Sequence, residues 1–189
     1  MKRGQITNIL LLLFLGLIVF TPVGFHLRVM VNRVLSFSPT LVEEQEQQVI
    51  SSYSWPLVDG AGRGYDLNQS EGKVVFINIW ASWCPPCVAE MPDLQLLYND
   101  YKEQLVFIFI ARDRKEKVSV FMTEHQYNFP VYYERGPGPA ELNSNSLPTT
   151  YILNQEKKII VSETGAAAWN SKKTRDLLDR LIDSNKQAQ

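Results

Sequence analysis

Ten residues, Ala-Ser-Trp-Cys-Pro-Pro-Cys-Val-Ala-Glu at positions 81–90, constrain this 189-residue chain more than any others, because they hold both of its cysteines. An apolar run at 74–80 precedes them and an amphipathic run at 88–101 follows. That pattern predicts a strand, a tight turn and a helix start, with Cys84 near the N-cap and Cys87 one turn in. Helical positions three apart share a face, so the two sulfurs can close a small disulfide ring. Backbone N–H groups at a helix N-terminus stabilise a Cys84 thiolate, the form that attacks disulfides. The spacing therefore points to thiol redox chemistry. A zinc half-site would need two more ligands, and the only histidines are the distant His26 and His125. A structural disulfide closing so short a loop would constrain the unfolded chain very little. Two idle buried cysteines remain as the bland alternative, which the strand–Cys-x-x-Cys–helix context disfavours. No metal and no cofactor are expected.

The longer run Asn78-Ile79-Trp80-Ala81-Ser82-Trp83-Cys84-Pro85-Pro86-Cys87-Val88-Ala89-Glu90-Met91-Pro92 resembles the active-site segment of thioredoxin-fold oxidoreductases. It is most similar to the membrane-anchored TlpA/ResA-like branch, from about residue 53 to the C-terminus. The resemblance implies an α/β thioredoxin-like fold, a central mixed β-sheet flanked by helices, with an N-terminal transmembrane helix. Thioredoxin has a proton-relaying Asp where Asn78 stands, and Asn cannot do that work. The branch instead carries a Glu three residues after the second cysteine, which Glu90 matches. Helical spacing independently puts Glu90 on the face of Cys87, and burial would raise its pKa and suit it to shuttling the Cys87 proton. The alternative is a solvated first-turn carboxylate favoured by the helix dipole. The family also carries a cis-proline beside the cysteines. Pro148 matches it, although an ordinary strand-opening proline has the same sequence.

On this reading Cys84, exposed at the helix tip, attacks a substrate disulfide, and Cys87 resolves the mixed disulfide. Leu147, Pro148 and Thr149 form a backbone edge for the substrate strand beside Cys84. Trp83 belongs to the contact platform, whereas Trp80 is expected in the core. Pro85 and Pro86 stiffen the turn and remove two backbone donors, which biases the site toward a reductant.

A net charge of −1 and 45% hydrophobic residues suit one globular domain with appendages. Near-neutral charge and the lack of a zinc-finger or basic-helix pattern argue against nucleic acid as a partner. Both cysteines are used in one motif, so their role reads as catalytic rather than stapling. Lys2 and Arg3 precede an uncharged run at 6–25, about the roughly 20 residues that cross a bilayer as a helix. Its apolar heart, 9–20, also has the size of a signal-peptide core, but no small-x-small cleavage site and no lipobox cysteine follow. The expectation is an uncleaved anchor at 1–25, a juxtamembrane segment and tether at 26–52, and a thioredoxin-like domain at 53–189. Leu27, Val31, Val34 and Leu35 recur at near-helical spacing, either extending the membrane helix or lying at the interface. Residues 43–48 read as a polar tether.

Within the domain, 53–58 and 64–67 read as a hairpin or two short strands, 73–80 and 105–110 as strands of a right-handed parallel unit, and Pro92 as a kink in the helix between them. Asp113 and Glu116 have capping-box spacing for the next helix, and His125 is expected on the surface at its end. Further strands are expected at 130–133, 149–153 and 158–162. Asn170 or Ser171 should cap the last helix.

The leading expectation is a single-pass bacterial membrane protein whose catalytic domain faces the periplasmic or extracytoplasmic side and reduces protein disulfides. The resemblance implies a membrane thiol-electron transporter as donor and oxidised cysteines of exported proteins as substrates, apocytochrome c being the family's best-known target. A disulfide oxidase or isomerase is the alternative within thiol exchange. A peroxidase of the related peroxiredoxin branch would need a Pro-x-x-x-Thr-x-x-Cys setting, and Ala81 occupies the Thr position. A copper-handling thioredoxin-like module would want a late histidine, and none follows His125. A non-catalytic redox sensor is the remaining alternative.

Overall fold

Six consecutive buried residues, Val-Phe-Ile-Asn-Ile-Trp, form β3 (Val75–Trp80), the strand on which the molecule is built. A strand covered on both faces has to be apolar nearly throughout, and Asn78 is the one polar residue admitted. The computed structural model describes residues 3–186. Seven strands form one mixed sheet in the order β2-β1-β5-β4-β3-β6-β7. β4 (Val106–Ala111) runs parallel to β3 and β5 (Val131–Glu134) parallel to β4. β6 (Thr149–Leu153) and β7 (Ile159–Thr164) extend the other side antiparallel. The hairpin of β1 (Pro56–Asp59) and β2 (Gly64–Asp66) pairs antiparallel onto β5. The sheet is thus the expected thioredoxin-like α/β arrangement.

Between β3 and β4 runs α3 (Pro85–Tyr101), which buries Cys87, Met91, Leu94, Leu97 and Tyr101 and keeps Pro92 inside it. Together with Val118 and Phe121 of α4 (Lys115–Glu124) and Leu177, Leu178 and Ile182 of α5 (Lys172–Lys186), these residues build one core around Phe76, Trp80, Phe107 and Phe109. A second core forms around Val75, Ile77, Ile79, Ile108 and Ile110, with Ile50, Tyr53 and Trp55 packed into it. Ser171 caps α5, its hydroxyl accepting the Thr174 N–H.

Three expectations change. The uncharged run at 6–25 is not one helix: α1 (Arg3–Phe20) ends before Thr21, and α2 (Pro22–Val34) begins after it. Thr21 accepts the Gly24 N–H, and Pro22, which lacks an N–H, takes the first helical position where none is needed. Among the described residues no helix is long and apolar enough to cross a membrane. Lys2, on which the expected orientation partly rests, lies outside the described residues.

Secondly, the segment read as a tether is not free. It forms isolated bridges from Leu41 to Val161 and from Val49 to Lys158, with Val42 N–H donating to Ile160 and Ile50 N–H to Lys157. β7 is an edge strand, and such an edge is stabilised when covered. Thirdly, Asp113 does not cap α4. Its carboxylate accepts the Ser82 hydroxyl and the Arg114 N–H, so Arg114 takes the cap position without a side-chain bond.

Candidate active site

The turn between β3 and α3 is fixed at both ends. Ser82 donates to Asp113, anchoring the turn to the segment after β4. Cys84 N–H donates to Ala81 O, and Cys84 then occupies the N-cap of α3 with its Sγ accepting the Cys87 N–H at 3.3 Å. The sulfur thus caps the helix as a Ser or Asp oxygen would. Cys84 and Cys87 are joined by a disulfide, with Cα atoms 5.2 Å apart. Pro85 and Pro86 form the first turn of the helix, so that turn offers the sulfurs fewer N–H donors.

Cys84 is not exposed as expected: it is only 3% accessible, and Cys87 is fully buried. The oxidised pair folds both sulfurs inward, and the exposed group at this end is Trp83, 57% accessible. The peptide bond between Leu147 and Pro148 is cis. Pro148 O accepts the Gly165 N–H, and the Thr149 side chain is buried with its hydroxyl on Ser146 O. Thr149 also lies between Ile79 and Thr164 within the sheet. Of the three residues expected as a substrate edge, Leu147 alone makes no backbone hydrogen bond among the described residues.

Glu90 is the centre of a buried polar network. It is 2% accessible, so it is not the solvated first-turn carboxylate of the alternative reading. Its Oε1 accepts from Asn78 Nδ2 at 2.8 Å, while Oε2 accepts from Trp169 Nε1 at 2.7 Å and from Ala167 N at 3.3 Å. Asn78 Nδ2 also donates to Thr150 Oγ1 at 2.8 Å. All three donors to the carboxylate favour its charged form, but burial outweighs them and pushes the pKa up to about 8. Glu90 is therefore largely protonated at neutral pH. The Asn78 Oδ1 atom is buried and has no partner among the described residues.

Asn78, Thr150, Ala167 and Trp169 are the members the sequence did not reveal as such. Asn78 replaces an Asp that could relay protons, yet an Asn can orient a carboxyl it cannot itself protonate. The one available signal was the polar residue within an apolar strand; Trp169 and Ala167 lie 79 and 77 residues from Glu90. His26 and His125 line one cavity with Ser82 and Val88. Among the described residues no group of three or more His, Cys, Asp or Glu converges as a metal site would.

A Cys-x-x-Cys disulfide at the N-terminus of a helix, a cis-proline and a buried carboxyl on a mixed sheet define the thioredoxin-like class of dithiol proteins. The chain matches the family model described as Redoxin over residues 32–179, and it belongs to that family. It is 35% identical over 112 residues to the thiol-disulfide oxidoreductase ResA of Halalkalibacterium halodurans, a stretch covering 58% of this chain and 64% of that one. The chain thus spans less than two thirds of that relative's length. It is 30% identical over 152 residues to the thioredoxin-like protein YneN of Bacillus subtilis, covering 78% of this chain and 87% of that one. Among solved structures, a DsbF homologue from Corynebacterium diphtheriae superposes with a TM-score of 0.58 at 20% identity, covering 78% of this chain and 92% of that one.

Proposed function

We propose that this protein is a thiol–disulfide oxidoreductase working as a reductant of protein disulfides. The observation that carries the reading is Glu90, buried on the face of α3 that bears Cys87 and held there by Asn78, Ala167 and Trp169. A group with a pKa of about 8 can take up and return the proton of a thiol near neutral pH. Cys84 is the nucleophile: its thiolate attacks a substrate disulfide sulfur, releasing one substrate thiolate. Cys87 passes its proton to Glu90 in the ionised form, which a pKa of about 8 keeps populated near neutral pH, and its thiolate then attacks Cys84, releasing the second thiolate and restoring the Cys84–Cys87 disulfide. Two electrons pass to the substrate, and an external dithiol has to re-reduce the enzyme. Leu147, whose backbone makes no hydrogen bond among the described residues, offers the docking edge beside Pro148, and Trp83 the exposed apolar contact. On this reading residues 53–189 face the extracytoplasmic side, anchored through 1–25 with 26–52 between. Its substrates are exported proteins, apocytochrome c among them, and its donor a membrane thiol transporter.

Mixed-disulfide trapping tests this. Cys87→Ser should accumulate a covalent adduct with an oxidised substrate protein through Cys84, and Cys84→Ser should accumulate none. Equal trapping by both variants, or by neither, would remove the assigned roles. A reduction potential near about −270 mV would mark a reductant, and one near about −120 mV an oxidase.

A further inference from the structure

α2 presents apolar residues on two sides, the inner of which also carries His26 and Arg33. Phe25 and Val29 turn toward the domain, where they line a cavity of about 270 Å³ with Val88, Ala89 and Pro92 from the first turns of α3. On the opposite side Val23, Leu27, Met30, Val31 and Val34 are 68%, 44%, 64%, 48% and 81% accessible. Their spacing of four, three, one and three makes one continuous stripe. A helix already docked through one face and bare along a second apolar face has an unmet partner.

We propose that this stripe lies in the headgroup–acyl boundary of a phospholipid bilayer and holds the dithiol end of the domain against the membrane surface. The proposal rests on the membrane-tethered reading above. Continuity and charge select lipid as the occupant. Only Thr21 separates α2 from α1, where Leu10, Leu12 and Phe14 are also exposed, at 59%, 68% and 60%. All acidic residues of the chain lie at or beyond Glu43, whereas Arg28 and Arg33 flank the stripe on α2. A helix with an apolar face and basic flanks is drawn to anionic headgroups and sinks about 5–10 Å into the boundary. A second copy fits less well, because a two-fold pairing of this patch would set the same basic flanks against each other with no acid in the segment. Since α2 is packed on the first turns of α3, the bilayer then fixes the height of Cys84. The favoured substrates are disulfides presented at the membrane surface.

The full chain carrying Met30→Trp tests the idea in phosphatidylcholine–phosphatidylglycerol vesicles with bromine on shallow acyl carbons. The chain should float with the vesicles, and the added indole should lose most of its emission relative to unbrominated lipid, after subtraction of the chain with Met30 intact. Adding Leu27→Glu to that variant should restore most of the emission while flotation persists through α1. A chain that floats with its added indole unquenched overturns the proposal and leaves the anchor intact. If that unquenched chain also self-associates with rising protein concentration, the stripe pairs copies instead. A chain that fails to float overturns the anchored reading and this proposal together.

Discussion

Glu90 shows how much a single buried group can say about function. Its folded-state pKa of about 8 lies above its ordinary value of 4.5, mainly because burial penalises the charge. Between those two values the folded protein binds a proton that the unfolded chain has released. Stability therefore falls as pH rises from 4.5 toward about 8 and levels off above. The full span is on the order of several kcal/mol, since each pKa unit corresponds to about 1.4 kcal/mol. Glu90→Gln should remove this dependence while keeping a side chain able to accept from Trp169. Thermal unfolding of the oxidised protein across that window checks it: the variant should gain on the wild type as pH rises, and parallel curves would mean Glu90 does not hold its proton. The cysteines and Glu90 were legible because they follow one another at helical spacing within two turns. Trp169, Ala167 and Thr150 were not, because tertiary folding alone brings them together. The burial of Cys84 was equally illegible, since helix position gives a side chain's direction but not what later covers it.

Elements were legible where one pattern had one solution. The run from β3 through α3 to β4 follows from an apolar strand, a capped helix and a second apolar strand, which connect as a parallel unit. Where two local chemistries competed, the sequence misled. Asp113 has capping spacing, but Ser82 and the Arg114 N–H engage its carboxylate. Pro22 could interrupt a membrane helix or start a new one, and with Thr21 capping before it, it starts one. The loop at 136–139 reads as a Gly-Pro connector, yet Gly138 is required by a contact the sequence does not disclose. A Cβ there would stand 2.4 Å from the ring of Trp55, which is 2% accessible and has little room to retreat. Gly138→Ala should therefore cost about 1–3 kcal/mol through overpacking. Gly60→Ala, with nothing within 4 Å of its Cβ, is the matched control. Denaturant midpoints of the two variants distinguish them; equal midpoints would show that the Trp55 ring yields freely.

At the scale of the molecule, the feature least visible in sequence is that the stretch before the domain takes part in it. Residues 43–48 are polar and uncompact by composition, which suits a tether, but composition does not report that an open sheet edge lies within reach. Ser38 bonds to Ser171, Thr40 N–H to Glu163, Val42 to Ile160 and Ile50 to Lys157, so the segment spans the length of β7. Ile50 is 2% accessible and belongs to the second core. Burying such a side chain contributes about 1.5–3 kcal/mol, as an upper estimate, since the unfolded chain already hides part of it. Each backbone bond adds about 0.5–1.5 kcal/mol. A fragment beginning at Tyr53 should accordingly be less stable by several kcal/mol than one beginning at Ser36. For a chain of this size each kcal/mol shifts the midpoint by about 2–4 °C. The two oxidised fragments, compared by thermal unfolding, give a direct answer. A clearly lower midpoint for the shorter one makes the segment a strap that closes the β7 edge. Coincident midpoints would make it a linker resting on the sheet.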